Sequence, residues 1–577
     1  MYERMPTSEI CSQLTQAGAP FELTEVAVAG QSLPAYRHAP ASLPALLNEG
    51  RRHGDAIFMI YRGDRWSFAR FFAEVDALAG WWHARGVAPG ERIAIAMRNR
   101  PEWAVAFTAA ALLGAVPAPI NSFGLGNELR QAVEDLAPRW LCCDSDRLAR
   151  LEGDPGVADC AVLRLGEPVT EAPGVAVHDY ADAVATLAAA PPEVAPDPDD
   201  PALILFTSGA TSRAKGVLST QRAVCQAMMN IDFIGALSGM SSPETVARIQ
   251  QSGLTPTTLT AVPLFHVSGL HAQLLSALRH GRRLVFLHRW EPREALALMR
   301  EEGVTQFNGA PSMVRQLINE AEFDAPEVQS SLMALGFGGA GLSEDLIDSV
   351  LARLPNKMLG IGFGMTETNG VGAAISGDLF AANPRSAGLI SPLMALRVTS
   401  PDGTALPHGE VGEICLRGVS LMREYWGNPR ATRETVVDGW LHTGDLGYRD
   451  EEGFLYVVDR LKDVINRSGE NIAAAEIESC LMTHPAVVEA AVFGVPDPEA
   501  GEAVIATVSV LDDEAIDAET LRAHVAASLA GYKVPAEIVV RQQPLPRNPA
   551  GKLIKRRLKQ AFLAEHDAGE AASPASA

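Results

Sequence analysis

The segment Phe206-Thr207-Ser208-Gly209-Ala210-Thr211-Ser212-Arg213-Ala214-Lys215-Gly216 gathers hydroxyls, glycines and a lysine directly after the apolar run Leu203-Ile204-Leu205. The run reads as a buried strand. Small residues let backbone N–H groups approach an anion, hydroxyls donate hydrogen bonds to it, and the lysine adds positive charge. The chemistry offered is phosphate binding. The order Lys-Gly, rather than Gly-Lys-[Ser/Thr], disfavours a P-loop nucleotidase. A plain strand-to-loop turn with one exposed lysine has the same local composition, so the rest of the chain must decide.

Four further motifs follow in order. They are Pro263-Leu264-Phe265-His266-Val267-Ser268-Gly269, then Gly362-Phe363-Gly364-Met365-Thr366-Glu367, then Gly439-Trp440-Leu441-His442-Thr443-Gly444-Asp445 with Asp459-Arg460-Leu461-Lys462-Asp463, and last Leu545-Pro546-Arg547-Asn548-Pro549-Ala550-Gly551-Lys552. Taken singly, each has a bland reading. Thr-Gly-Asp is an ordinary turn, His266 is a packed core histidine, Glu367 is a surface carboxylate, and the basic residues around Lys552 are a solvated helix face.

Together the motifs resemble the adenylate-forming superfamily: acyl-CoA synthetases, peptide-synthetase adenylation domains and beetle luciferases. The resemblance covers roughly residues 50 to 560. It implies that a carboxylate attacks the α-phosphate of ATP, expels pyrophosphate, and passes as acyl-AMP to a thiol. Such a site must hold a polyanion, a metal and an anionic nucleophile together, so charge neutralisation dominates. The resemblance assigns Thr207, Ser208, Gly209, Thr211 and Lys215 to the phosphates. Thr366 falls to the α-phosphate, and Glu367 to Mg²⁺ as a hard oxygen ligand. Gly339, Ala340 and Gly341 border the adenine edge, and Phe363 offers it a flat face where the family more often has tyrosine. Asp445 suits the ribose hydroxyls, and Arg460 contacts the same sugar or orients Asp445. His266 is a gate or contact near the acid. Lys552 is the catalytic lysine, Lys462 the hinge, and Gly469 lets a pantetheine arm pass close to the backbone.

The phosphate segment departs from the family pattern: Ala210 replaces threonine, Ser212 glycine and Ala214 proline. The double variant Ala210→Thr with Ser212→Gly is therefore expected to tighten ATP. One added hydroxyl bond contributes about 0.5–1.5 kcal/mol, and relief of an unfavourable backbone angle roughly 1 kcal/mol. Steady-state kinetics should show about a tenfold fall or more in KM for ATP, with little change for the acid or CoA. Unchanged ATP kinetics would show that this loop holds phosphate by other means.

The elements that must position these residues need more than one core, because 577 residues exceed a single ordinary domain. Alternating helices and short apolar strands from Leu43 predict an α/β layered domain. From Leu396 to Gly418 the texture turns to short strands, a β-rich subdomain. The fold class is thus multi-domain α/β: a large N-terminal domain over 46–460 and a small mobile α+β C-terminal domain over 461–563. Residues 1–45 read as an irregular leader and 564–577 as a disordered tail.

Composition sets outer bounds. A net charge of -22 repels nucleic acid. The seven scattered cysteines form no CxxC pair and suggest reduced thiols in a cytoplasmic protein. The alanine-rich window Trp103 to Ile120 is broken by Gly114 and Pro117, so it reads as helix, turn and strand rather than a membrane span.

The expected function is an ATP-dependent acyl-CoA synthetase for a medium- or long-chain, or otherwise bulky apolar, carboxylic acid. Its partners are that acid, ATP, Mg²⁺ and CoA, with no nucleic acid. The oligomeric state, a homodimer included, is open. The alternatives are an aryl-acid CoA ligase, an adenylating enzyme that loads a carrier protein, and a non-catalytic nucleotide- or acyl-binding homologue.

Overall fold

In the computed structural model the described residues are 6–151, 160–167, 176–186, 193–207, 214–338, 341–468, 470–510, 516–548 and 551–571, with side chains to residue 566. Ser208, Gly209, Ala210, Thr211, Ser212, Gly339, Ala340 and Gly469 lie outside them.

Two sheets carry the N-terminal region. One is fully parallel: β1 (Arg92–Ala96), β2 (Val116–Pro119), β3 (Trp140–Asp144), β4 (Ala161–Leu165) and β5 (Val177–Asp179), in the order β2-β1-β3-β4-β5. The alanine-rich window forms the buried helix Pro101–Leu112, a turn and β2, as its composition predicts. That helix is apolar all round because it is enclosed on every side. It packs with helix Phe68–His83 in a core containing Trp82, Trp103 and Phe107, all fully buried.

The second sheet is large and mixed. Its parallel part runs through Ile57–Tyr61, Arg283–Phe286, Thr257–Thr260, Gln306–Gly309, Ala334–Gly338 and Met358–Phe363. It then continues antiparallel through Ala373–Ser376, Gly388–Ile390, Phe454–Arg460, Trp440–Arg449, Gly412–Gly418 and Met394–Thr399. The β-rich texture is therefore the antiparallel end of one hydrogen-bonded sheet.

The phosphate segment joins Pro201–Phe206 to Gly216–Thr220, two antiparallel partners. This explains why a P-loop reading fails, since a P-loop leads from a strand into a helix.

The C-terminal region has its own five-stranded sheet, built on the long hairpin Val487–Asp497 and Gly501–Val510. Helices Ala474–Met482 and Ala518–Ser528 cover its apolar face.

Two expectations are corrected. The leader is not irregular: it forms helix Thr7–Thr15 and the hairpin Leu23–Val28/Gln31–Tyr36. Ile10, Phe21 and Tyr36 are buried in one cluster with Phe233 of helix Gln221–Ser241. The Tyr36 hydroxyl donates to Asn230 Oδ1 at 2.9 Å. The hairpin escaped notice because its turn is Ala29-Gly30, with φ of 48° and 79°; alanine there replaces the usual Asn or Asp cue. The tail is also structured in part, because helix Lys555–Ala571 runs through residues expected to be disordered. Its Leu558 and Phe562 are buried against Phe493.

Candidate active site

Lys215 is brought to its neighbours by backbone pairing across the phosphate segment. Thr207 N donates to Lys215 O at 2.9 Å, and Lys215 N to Thr207 Oγ1 at 3.3 Å. The Lys215 ammonium sits 4.5 Å from the centroid of the Tyr425 ring, a cation–π distance. The Tyr425 hydroxyl in turn donates to Glu367 Oε1 at 2.7 Å. Burial, then the Glu367 charge, pushes the Tyr425 phenol well above its ordinary range. One tyrosine thus links Lys215 to the buried Glu367 carboxylate. Sequence reasoning missed it; the pairing of Glu424–Tyr425 with Gly216–Thr220 carries it in.

Glu367 lies in a tight turn, Thr366–Thr368, after Met358–Phe363. It is buried, and its backbone carbonyl accepts from Met422 N at 2.7 Å. Gly364 is required here, because a Cβ would stand 2.4 Å from the Gly370 carbonyl oxygen. Thr366 and Phe363 are half-buried, and Gly341 is exposed.

Asp445 and Arg460 face each other across paired strands. Arg460 Nε is 2.6 Å from Asp445 Oδ1. Asp445 is 4 % exposed, and burial raises its carboxyl against the pull of Arg460, Lys552 and Lys462. The strand leading into it is pinned: Thr443 Oγ1 donates to Ile414 O at 2.7 Å and Gly444 N to Glu413 Oε1 at 3.1 Å.

Lys552 comes from the C-terminal region into this same charge neighbourhood. Burial, then Arg460, lowers its pKa to about 8, with Asp445 opposing. Its loop is closed by Asn548, which accepts from Lys552 N at 2.9 Å through Oδ1. Gly551, with φ 82°, lies so close to the N-terminal region that a Cβ would meet Ala310 Cβ at 2.8 Å. Ser312 Oγ donates to Gly551 O at 3.4 Å. Of the basic neighbours, Lys555 is paired with Glu478 at 2.7 Å rather than solvated, while Arg556 and Arg557 are exposed. Lys462 is exposed in the turn Leu461–Asp463. Just before it, Asp459 Oδ2 accepts from Ala475 N of the C-terminal region at 3.1 Å.

His266 starts a helical turn that runs into a π-helix, Leu270–Leu275. Its Nε2 is buried without a hydrogen bond, and burial lowers its pKa to about 4. The turn abuts the Glu367 segment, since a Cβ at Gly370 would meet Val267 at 3.2 Å. His271, which sequence reasoning missed, is 1 % exposed with neither ring nitrogen hydrogen-bonded. Burial pushes it too down to about 4; Asn369 lies beside the ring and opposes the shift, though its Oδ1 forms no hydrogen bond. A lowered histidine pKa means that the unfolded chain takes up the proton first. Stability is then complete above pH 6.5 and falls as pH drops toward 4. Relative to His271→Leu, the wild-type chain is expected to lose up to about 3 kcal/mol across that window. Denaturant unfolding at a series of pH values checks this, and a pH-independent difference would refute it.

Among the described residues the site joins Lys215, the buried Glu367 carboxylate, the Asp445–Arg460 pair and Lys552 of the C-terminal region. The family described as AMP-binding enzyme matches residues 46–426, and its C-terminal domain matches residues 476–552. The chain belongs to the AMP-binding enzyme family. It is an acid–thiol ligase of the AMP-forming type. It is 32% identical over 505 residues to the long-chain-fatty-acid–CoA ligase FadD13 of Mycobacterium tuberculosis, covering 87% of this chain and 94% of that protein. It is 32% identical over 517 residues to a feruloyl-CoA synthase from an Amycolatopsis species, covering 89% and 98%. The fold matches the o-succinylbenzoate coenzyme A synthetase of Bacillus subtilis in complex with ATP and magnesium ion, with TM-score 0.71, 29% identity and coverage of 89% and 98%. No helix among the described residues is long and apolar enough to cross a membrane.

Proposed function

We propose that this ligase activates an apolar carboxylic acid, a medium- or long-chain fatty acid or another bulky acid, through acyl-AMP and then transfers it to CoA. The observation that carries the reading is the convergence of Lys552 on the Asp445–Arg460 pair, beside an N-terminal site that presents Lys215 and Glu367. The acid would lie along the His266 turn, whose Leu264, Phe265, Leu270 and Leu274 are buried and apolar. The tuberculosis relative named for long-chain fatty acids supports that class.

In this reading Lys215 and Thr207 receive the outer phosphates, and Thr366 donates to the α-phosphate. Glu367 would hold Mg²⁺. The fit is sound, because a buried carboxylate offers hard oxygens and Tyr425 occupies one of them only as a hydrogen-bond donor. The metal would neutralise charge on the phosphates. Asp445 takes the ribose hydroxyls with Arg460 fixing its orientation. Lys552 bridges the acid carboxylate and the α-phosphate, and rotation about Lys462 then removes it.

An aryl acid is the second reading. The feruloyl-CoA synthase relative supports it at equal identity. So do the unpaired polar atoms of His271 and Gln273 within the same segment, which would suit an acid carrying a hydrogen-bonding group. A CoA-ligase assay across fatty, aryl and alicyclic acids tests both. The first reading requires the highest kcat/KM for an alkyl chain, and the second for a hydroxyaryl acid. ATP binding without pyrophosphate release for any acid would exclude both.

A further inference from the structure

The paired strands that lead into Asp445 hold a group of donors that the proposed reaction does not use. Glu413 and Cys415 stand two apart on Gly412–Gly418, so both point to one face of the sheet. Cys415 pairs directly with His442 on Trp440–Arg449, but Glu413 pairs with Leu446. Thr443, Gly444 and Asp445 therefore form a bulge opposite Ile414 alone. A bulge bends its strand and re-aims a side chain, and Gly444, with φ 68°, makes the turn. His442 thereby meets both partners: its Nδ1 lies 2.8 Å from Glu413 Oε2 and 3.6 Å from Cys415 Sγ. Among the described residues this is the only set of three His, Cys, Asp or Glu side chains whose donor atoms all lie within 4.8 Å of one another.

A hydrogen bond accounts for the His442–Glu413 contact, but not for the surroundings of the sulfur. Cys415 Sγ has Thr399 Oγ1 at 3.6 Å, His442 Nδ1 at 3.6 Å and Arg397 beside it. Arg397 is held over the Trp440 ring, 4.4 Å from its centroid. Such donors suit a thiolate, yet burial pushes the thiol up and keeps its proton on. A dication reconciles the two, because a coordinated thiol is deprotonated outright, and Thr399 and Arg397 then serve as donors outside the ligand set. Cys415 is fully buried, so no substrate-sized electrophile reaches it and a nucleophilic role is excluded. An ion has an approach, since 20% of the Glu413 side chain and 27% of the His442 side chain face solvent.

A thiolate and a carboxylate supply two negative charges, which match a dication, and a neutral imidazole adds a third bond. Sulfur and nitrogen donors favour zinc over magnesium. Zinc bonds of ~2.0–2.3 Å in a tetrahedron set ligand atoms roughly 3.3–3.7 Å apart. The sulfur–nitrogen distance already lies in that range. The His442–Glu413 contact must widen by roughly 0.5 Å as the metal replaces its hydrogen bond. We propose that Glu413 Oε2, Cys415 Sγ and His442 Nδ1 form a zinc site, closed by one water, that cross-links strands Gly412–Gly418 and Trp440–Arg449 beside Asp445. Binding releases one proton from the thiol, and the imidazole keeps its own on Nε2. Glu413 Oε1 keeps the bond from Gly444 N at 3.1 Å, so the Asp445 turn is preserved and the metal is structural. The site is separate from the proposed magnesium position at Glu367 and does not depend on the ligase reading.

Co²⁺ serves as a coloured stand-in for Zn²⁺ on the full chain. Its addition should produce a thiolate-to-cobalt charge-transfer band with tetrahedral d–d absorption, both removed by Zn²⁺ and neither by excess Mg²⁺. Zn²⁺ should also raise the thermal midpoint of the wild-type chain. Cys415→Ser should lose the band and the Zn²⁺-dependent rise, whereas Glu367→Gln should keep both. Should Cys415→Ser fail to fold, His442→Gln, at a half-buried position, carries the test: it removes the nitrogen ligand and should weaken Co²⁺ by at least about 100-fold. Absence of the band in the wild-type chain would overturn the site. So would a band that persists in Cys415→Ser, or an unchanged Co²⁺ affinity in His442→Gln. A band lost in Cys11→Ser instead would assign the thiolate to the half-buried Cys11 and overturn it as well.

Discussion

Lys552→Ala is expected to lower acyl-adenylate formation by about 100- to 1000-fold, the scale for losing one charge-stabilising donor, while sparing thioester formation from supplied acyl-AMP. The asymmetry follows from the proposed cycle. The ammonium is needed only while charge builds between the acid and the α-phosphate, and it leaves before the thiol arrives. Pyrophosphate release and thioester formation from pre-made acyl-AMP, measured separately, decide the matter. Equal losses in both half-reactions would show that Lys552 is not withdrawn between them. The same side chain sets a pH limb. With its pKa lowered to about 8 by burial and Arg460, the charged form is lost as pH rises through that value. The kcat/KM for adenylation, which reports the free enzyme, should fall above about pH 8. Lys552→Arg should flatten the fall, because a guanidinium stays charged throughout.

Glu367→Gln is expected to move the Mg²⁺ titration of adenylation to higher concentration and to cut the rate by about 100-fold at fixed Mg²⁺. A neutral amide is a poor ligand for a hard dication. The substitution tests charge rather than shape, since the amide oxygen can still accept from the Tyr425 hydroxyl that now meets Oε1 at 2.7 Å. The fold around the turn should therefore survive, as equal thermal midpoints for the two proteins would show. An unchanged Mg²⁺ titration would remove Glu367 from the metal site.

Much of this molecule is legible in its sequence. The strand before the phosphate segment and the helix–turn–strand of the alanine-rich window both follow from apolar runs and turn residues. What escapes does so either through contact between residues far apart in the chain or through local chemistry that departs from the usual cues. Tyr425 carries no local signal, and its place between Lys215 and Glu367 depends on a two-residue strand pairing more than 200 positions downstream of its partner. His271 is missed because one histidine on an apolar helix reads as core; only its two unpaired nitrogens mark it out. The first 36 residues look irregular because a hairpin closed by Ala29-Gly30 lacks the usual turn chemistry.

The continuous mixed sheet has a mechanical consequence. Phe363, Asp445 and Arg460 all stand on strands of one hydrogen-bonded ladder, so their separations are fixed by backbone registry. Lys215 hangs from a separate three-stranded sheet, and Lys552 belongs to the C-terminal region with its own five-stranded sheet. The nucleoside end of the proposed site is thus a rigid ruler, and in the proposed cycle Lys552 is the part that docks against it and leaves. In that cycle, withdrawing Lys552 breaks side-chain and docking contacts such as Ser312 Oγ to Gly551 O, whereas opening the nucleoside end would require the ladder itself to part. Amide hydrogen exchange should therefore separate the Lys552 loop from the ladder by orders of magnitude in protection, with the slow face marking what stays in place through each turnover.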